Sequence, residues 1–477
     1  MIEIQKISYT YPHAVQEALH QLSFSLPKGR CVMVTGPSGA GKTTLGLAAA
    51  GVLHHEYGGR KTGSVLLDGK DIASYGSLSE IARTVGIVFD DPEAQMIFTT
   101  VEEEILSALE YRGLTPDEVE KRLSTVMDLT YLTELSSRPP HNLSGGQKQR
   151  VALAATLALG NEILILDEPT SELDEHATRR IAGILKTLKD QGKTILLIEH
   201  KFREFRDIID TVVVMEDGRV TASGTPDEIL RNERIRKMLI PDLAGIREQV
   251  PVTPAPPDPV VSVRDLSYSY GDIPALSGIN LDIGRGEFVA IVGENGSGKT
   301  TLVKNFNRLL TPTSGDVFIL GKNTRSSSIA QLARDVGLVF QNPDHMFFAD
   351  TVRDEVAFGL VNTGIADTME KIDDALASVG LTGTSDLYPR WLSRGERQRL
   401  AIACVTAMQP ALIVLDEPTT GLDGNEARHV LEILKAMQKK GHTIVIITHS
   451  REVAGCADRI ITMEKGMVVN DTNGQVS

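Results

Sequence analysis

Cysteine is scarce. Three occur in 477 residues, Cys31, Cys404 and Cys456, far apart and without a CxxC pair. Neither a disulfide framework nor a structural zinc site is expected, and the usage suits a reducing compartment. Cys31 opens the apolar run CVMVT, where core packing is the expected role. Positive charge is also short: 49 Lys and Arg stand against 63 Asp and Glu, a net charge of −14. Nucleic-acid backbone binding needs a basic footprint, so this balance argues against it. No run approaches the roughly 18 apolar residues of a membrane span, and the richest stretch, Val151 to Gly160, reads as a buried helix. The opening MIEIQKISYTYP is strand-like and lacks the layout of a signal peptide.

What the chain does have is a duplicated glycine-rich loop. GPSGAGKT comprises Gly36, Pro37, Ser38, Gly39, Ala40, Gly41, Lys42 and Thr43, followed by Thr44. GENGSGKT comprises Gly293, Glu294, Asn295, Gly296, Ser297, Gly298, Lys299 and Thr300, followed by Thr301. Each loop follows an apolar run and precedes a helix-compatible stretch, the context in which backbone N–H groups close around phosphate. Lys42 and Lys299 are placed to reach the β- and γ-phosphates of a nucleotide triphosphate. Thr43 and Thr300 are placed to ligate Mg²⁺.

The order of features repeats at domain scale. Lys42 to Asp167 spans 125 residues and Lys299 to Asp416 spans 117, by subtraction. A chain of this length suits two or three domains. Between the copies, Val250–Val261 carries five prolines and reads as an extended spacer. The expected division is a first domain at 1–240, a linker at 241–258 and a second domain at 259–477. EILILDEP, ALIVLDEP, KTILLIEH and HTIVIITH read as parallel strands buried on both faces, so each domain is expected to be α/β with a mostly parallel central sheet.

Two acids end each LDEP strand. Asp167 and Asp416 are placed to hold Mg²⁺ through water, and Glu168 and Glu417 to polarise an attacking water. His200 and His449 end the next strand and suit γ-phosphate sensing at the carboxyl edge of the sheet. SELD (Ser171–Asp174) and TGLD (Thr420–Asp423) follow the acids. Ser144, Gly145, Gly146 and Gln147 open a helix in NLSGGQKQRVALA; Ser393, Arg394, Gly395 and Glu396 do so in WLSRGERQRLAIA. Serine and glycine at a helix start make a second anion-binding terminus, and a plain cap is the simpler reading of each serine.

Phosphate loop, LSGGQ segment, LDEP strand and terminal histidine, in this order and twice, resemble the ATP-binding cassette (ABC) ATPases. The segment Val339–Leu360 (VFQNPDHMFFADTVRDEVAFGL) looks like the cassettes of energy-coupling-factor importers of vitamins or metal ions, and Val88–Ile105 is its diverged counterpart. The resemblance implies two tandem ABC-type P-loop ATPase domains, each with an inserted helical subdomain, that pair within the chain to hold two ATP with Mg²⁺. It implies that each phosphate loop is closed by the other domain's signature, through Ser144–Gln147 or through Ser393 and Gly395. Gln341 would join the metal site, and Tyr11 and Tyr270 would stack on adenine, with Tyr9 and Tyr268 facing the strands. Integral membrane subunits, a transmembrane coupling protein and a substrate-binding protein, would be driven from the cytoplasmic face of the cell membrane, through grooves near Gln341 and Asp90.

The copies depart from one another. Asp90 stands where Gln341 stands in the second copy, and Arg394 and Glu396 replace signature Gly and Gln. The Lys299 site is therefore expected to carry the complete set and the Lys42 site an altered one. Thr100 with Glu103 and Thr351 with Asp354 read as capping-box starts, with gripping of basic residues on a membrane subunit as a further role. A soluble tandem cassette acting on ribosomes is the alternative from another class, disfavoured by the short proline-rich linker and the acidic charge. A tandem sugar-importer ATPase is a nearer one.

Overall fold

The computed structural model describes residues 1–477 except 13, 15, 111, 112, 172, 244, 247–258, 366, 367 and 473–477. Most of the expected linker lies outside the described residues. The chain forms two compact units, Met1–Ile240 and Pro241–Ser477.

Each unit holds a six-stranded sheet with one strand order. In the first unit it runs Arg219–Gly224, Thr211–Glu216, Cys31–Thr35, Thr194–Ile198, Ile163–Asp167, Val85–Val88. Only the Arg219–Gly224 edge strand is antiparallel to its neighbour. The second unit repeats this, with Phe288–Val292 between Thr443–Ile447 and Arg459–Glu464. The continuous apolar runs are explained by the pleat. Met33, Leu164 and Leu197 enter one core of the first unit, while Val32, Ile165 and Leu196 enter the core on the opposite face. Cys31 is fully buried in the first of these, and burial pushes its thiol up to about 12.

A second, four-stranded antiparallel sheet in each unit is anticipated in the sequence reading only by the strand-like opening, which forms strand Ile2–Thr10. It pairs Leu19–Leu26, Ile2–Thr10, Arg60–Leu67 and Lys70–Asp71 in the first unit. Helices Val101–Glu110, Pro116–Leu129 and Gly145–Ala158 lie between strands Val85–Val88 and Ile163–Asp167, and three helices occupy the same place in the second unit. Of Val151 to Gly160, expected as a buried helix, the residues through Ala158 close the last of them, with Leu159 as its C-cap.

The helices after SELD and TGLD show how local signals position the site. Asp174 accepts from Ala177 N–H at 2.8 Å, and Asp423 from Asn425 and Glu426 N–H at 2.9 and 3.0 Å, so each aspartate caps the helix it precedes. Ile181, Ile184, Leu185 and Leu188 then bury one stripe of Glu175–Asp190. Four such side chains contribute on the order of 6–12 kcal/mol before entropy is set against them. The helix start, and with it the turn from Glu168, is thereby fixed against the sheet.

One boundary differs from expectation. Within the expected linker of 241–258, Leu243 and Ile246 are buried in the core of the second unit, and Arg428 Nη1 donates to the Asp242 carbonyl. The prolines that marked the spacer all come later.

Candidate active site

Strands Cys31–Thr35 and Phe288–Val292 deliver the two glycine-rich loops at the carboxyl edge of the parallel sheet. Gly36 and Gly293 have φ of 147° and 153°, and a Cβ there would fall 2.0 Å from the Met215 carbonyl oxygen and 2.2 Å from that of Met463. Gly39, Gly41, Gly296 and Gly298 also have positive φ, which turns the loop back on itself toward the helix start. Pro37 and Ser38 in the first loop, and Glu294 and Asn295 in the second, complete the span. Ala40 is buried beneath the first loop.

Each lysine curls into its own loop. Lys42 Nζ donates to the carbonyls of Gly36 and Pro37, both at 2.9 Å, and Lys299 Nζ to those of Gly293 and Glu294, both at 2.8 Å. The Ser297 hydroxyl is buried in the second loop without a hydrogen-bond partner. A cradle with an ammonium at its centre and a buried, unpartnered hydroxyl fits a phosphate.

Beside each loop lies a strand-end acid. Thr300 Oγ1 donates to Asp416 Oδ2 at 2.7 Å. Asp167 is 3% exposed and its Oδ1 has no partner. Burial raises the Asp167 carboxyl to about 7; a hydrogen bond from Thr43 opposes this, while Glu168 and Asp90 add to it. Asp416 is raised for the same first reason, with the bond from Thr300 opposing. A hydroxyl beside a buried carboxylate that resists ionisation is a donor set that fits Mg²⁺, which takes few protein oxygens and completes its shell from phosphates and water.

This gives a testable consequence for stability. A folded-state value raised from 3.8 to about 7 means the folded chain keeps a proton that the unfolded chain releases near pH 4. The cost of the acid therefore grows from pH 4 to 7 and is complete above 7. Asp167→Asn should stabilise the metal-free chain by about 2 kcal/mol above pH 7, roughly half the full linkage value after relaxation. The gain should fade toward pH 4. Thermal melts of both chains across this range, without divalent cation, check it; a gain independent of pH would contradict it.

Glu168 and Glu417 leave their strands at φ of 44° and 49°, a left-handed conformation rare for side-chain-bearing residues. Each N–H still bonds the neighbouring strand, at Ile198 O and Ile447 O, both at 2.9 Å. The strained turn lifts the glutamate out of the strand line toward the histidine. His449 Nδ1 lies 2.9 Å from Glu417 Oε1, and Thr420 Oγ1 donates to Oε2 at 3.4 Å. In the first unit His200 Nε2 is 3.3 Å from Glu168 Oε1, an ion-pair separation without hydrogen-bond geometry. The Glu417 side chain is 8% exposed and that of Glu168 18%.

Gln341 and Asp90 follow strands whose last residues, Val339 and Val88, pair with Leu415 and Leu166, one residue before the strand-end acids. Both are exposed. Tyr11 and Tyr270 are tethered beside the loop helices, to Thr44 Oγ1 at 3.2 Å and Thr301 Oγ1 at 3.4 Å. Tyr9 and Tyr268 lie edge-on to them at 4.9 Å, and both pack toward the core.

The signature serines are caps and more. Ser144 Oγ accepts from Gln147 N–H, and Gln147 Oε1 accepts from Ser144 N–H at 2.9 Å. Ser393 and Glu396 make the same reciprocal pair, so glutamate replaces glutamine without loss of the capping box. Gly146 and Gly395 are packing glycines: a Cβ would meet Ala177 Cβ at 2.9 Å or Glu426 Oε2 at 2.2 Å. Gly145 has no such constraint, and its counterpart Arg394 lies over Gly421, where a Cβ would fall 2.4 Å from the guanidinium carbon. The first unit has Glu172 at the position of Gly421.

Sequence reasoning missed a pair of buried carboxylates. Glu104 accepts from Ile97 and Phe98 N–H, both at 2.8 Å, and Glu355 accepts from Phe348 and Ala349 N–H. These acids fold the segment after Asp90 or Gln341 onto its helix, so they are occupied inside their own unit. The capping box read at Thr100–Glu103 is present with both of its hydrogen bonds. At Thr351 the hydroxyl accepts from Asp354 N–H and donates to the Asp354 carboxylate, a cap without the reciprocal backbone bond of the expected box.

A phosphate cradle, a strand-end carboxylate pair and a histidine, present twice, define a tandem P-loop ATPase. The ABC transporter family model matches residues 19–171 and 276–420. The chain belongs to that family and is a tandem-cassette ABC ATPase that binds ATP. It is 47% identical over 476 residues to a Methanosarcina acetivorans protein provisionally named an ABC transporter ATP-binding protein, covering 99% of this chain and 90% of that one. A similarly named protein of Caldanaerobacter subterraneus is 35% identical, covering 95% and 88%. A Bacillus subtilis protein provisionally named the HMP/thiamine import ATP-binding protein YkoD is 31% identical, covering 100% and 92%.

Proposed function

We propose that this chain is the energy-coupling subunit of an energy-coupling-factor type importer, hydrolysing ATP at the cytoplasmic membrane face to drive uptake of a vitamin or metal ion. The observation that carries the reading is an apolar face beside Gln341. Phe348 and Phe358 are 64% and 51% exposed, with ring centroids 4.4 Å apart and edge-to-face. Glu355 anchors the backbone of Phe348, so the knob is held out rigidly. Ile97, 83% exposed and anchored by Glu104, is its counterpart. Exposed aromatics held in place suit docking of an apolar partner segment such as a membrane subunit presents. No described helix is long and apolar enough to cross a membrane, so the span would be supplied by partners. The printed name of the Bacillus relative supports a vitamin-related cargo.

In this reading Lys42 and Lys299 offset phosphate charge while the loop amides hold the oxygens. Thr43, Asp167, Thr300, Asp416 and Gln341 would hold Mg²⁺, which supplies charge neutralisation at the transferred phosphate. Glu168 and Glu417 orient a water and take its proton. His449 holds the Glu417 carboxylate by a hydrogen bond, His200 stands at 3.3 Å from that of Glu168, and both face the γ-phosphate. Tyr11 and Tyr270 stack on adenine. The Ser144 and Ser393 hydroxyls, the Gln147 side-chain amide and the N–H groups of Gly145, Gly146 and Gly395 present donors to a phosphate, the N–H groups of Ser144, Gln147 and Ser393 being taken by the caps.

Affinity purification of the full chain from detergent-solubilised membranes tests the reading. Integral membrane proteins should co-purify, with the substrate-binding one naming the cargo; co-sedimentation with ribosomes instead would overturn it. Phe348→Ser with Phe358→Ser should weaken that association by roughly thirtyfold, since each half-exposed ring has about 1 kcal/mol of burial left to gain. Undiminished association would place the membrane contact elsewhere.

A further inference from the structure

Strand Thr194–Ile198 runs into Glu199, His200 and Lys201, and the two residues flanking the histidine have no part in the chemistry above. Glu199 is 1% exposed. Its Oε1 accepts from the Thr170 hydroxyl, and its Oε2 accepts from the N–H of His200 at 2.7 Å and of Lys201 at 3.4 Å. Lys201 Nζ donates to the Thr170 carbonyl at 2.6 Å, the Leu173 carbonyl at 2.7 Å and Thr178 Oγ1 at 3.3 Å. Both side chains thus grip one short turn, and that turn begins at Glu168: Ser171 N–H bonds Glu168 O at 3.1 Å.

The second unit does this differently. Thr448 and Ser450 occupy the flanking positions, Thr448 Oγ1 accepts from Ser450 N–H at 3.1 Å, and Ser450 caps the short helix Arg451–Ala454. Among the described residues no hydrogen bond from either side chain reaches the turn after Glu417. There the carboxylate is held directly, by His449 and Thr420.

Removing a carboxylate from water is costly and persists where its hydrogen bonds are made and a conformation is specified. A left-handed glutamate is strained and must be held by its surroundings. We propose that Glu199 and Lys201 are positioning residues that set the Glu168 carboxylate relative to His200, through the turn that both side chains grip. Glu199 joins the His200 backbone to the Thr170 hydroxyl, so the base and its histidine move as one piece. Lys201 fixes the far side of the same turn. The proposal rests on the ATPase reading of Glu168.

The test uses the full chain with Lys201→Met, Lys201→Arg and Glu199→Gln. Amide hydrogen exchange is read in peptides covering residues 168–174 and, as internal control, 417–423. Lys201→Met should speed exchange in the first peptide at least tenfold and leave the second unchanged, with Lys201→Arg restoring part of the protection and Glu199→Gln falling between. In a Glu417→Gln background, adding Lys201→Met should lower residual kcat about tenfold while KM for ATP stays within twofold. Unchanged exchange, or equal loosening of both turns, overturns the proposal, as does a matching fall in kcat when Lys201→Met is added to Glu168→Gln. If the unaltered chain releases no phosphate from ATP, the ATPase reading of the site falls, and the exchange data still decide whether the turn is held as described.

Discussion

Glu417→Gln should lower phosphate release by the full chain about a hundredfold, whereas Glu168→Gln should leave most of it. A hundredfold loss corresponds to about 3 kcal/mol of transition-state stabilisation, the scale expected for removing one well-placed group. Glu417 is nearly buried, bonded to His449 at 2.9 Å and supported by Thr420, so in the proposed reading it would orient water without reorganising. Glu168 is more exposed, its histidine is 3.3 Å away, and Asp90 adds negative charge near Asp167. Both variants should still bind ATP, because neither lysine is altered. Steady-state phosphate release with nucleotide binding measured in parallel checks this. Equal losses, or a larger one for Glu168→Gln, would sink the division of roles.

Gly293→Ala should abolish ATP binding at its loop, while Gly296→Ala should be mild. At Gly293 a methyl group would sit 2.2 Å from a strand carbonyl oxygen and 2.7 Å from Ser297 Oγ, at a φ of 153° that alanine avoids. The loop must shift, and the cradle amides with it, so a stability loss above about 4 kcal/mol is expected. At Gly296 nothing lies within 4 Å of the same added atom, leaving only the left-handed φ of 82°. That costs about 1 kcal/mol. Calorimetric melting with nucleotide titration separates the two; comparable losses would mean backbone conformation, not the close approach to Met463, governs this loop.

Much of the site could be read in the sequence because its parts are local. A glycine-rich loop carries its pattern within its own eight residues, and Ser144 with Gln147, or Ser393 with Glu396, close a capping box within four. LDEP and its successor strand are legible because a strand buried on both faces must be apolar at every position. What escaped were contacts between segments far apart in the chain. Glu199 looks like one more residue before a histidine, and nothing nearby says that it accepts from Thr170. Glu104 and Glu355 read as ordinary first-turn acids, although each turns inward to amides six or seven residues earlier. Leu243 and Ile246 were hidden by the prolines that follow.

The sequence alone determined that this protein has two α/β units with phosphate loops, acid pairs and serine-capped helix starts, since each follows from periodicity or short-range hydrogen bonding. Their reading as ATPases came from the resemblance of the ordered motifs to a known family. The tertiary structure alone decided how the two glutamates are held. Left-handed φ at Glu168 and Glu417 is tolerated only because a neighbouring strand takes each N–H. One carboxylate is then bonded directly by its histidine, while the other depends on a turn gripped by Glu199 and Lys201. Such differences depend on packing between distant segments, which sets the angle at which a ring nitrogen meets a carboxylate and so separates a hydrogen bond from a contact at ion-pair distance.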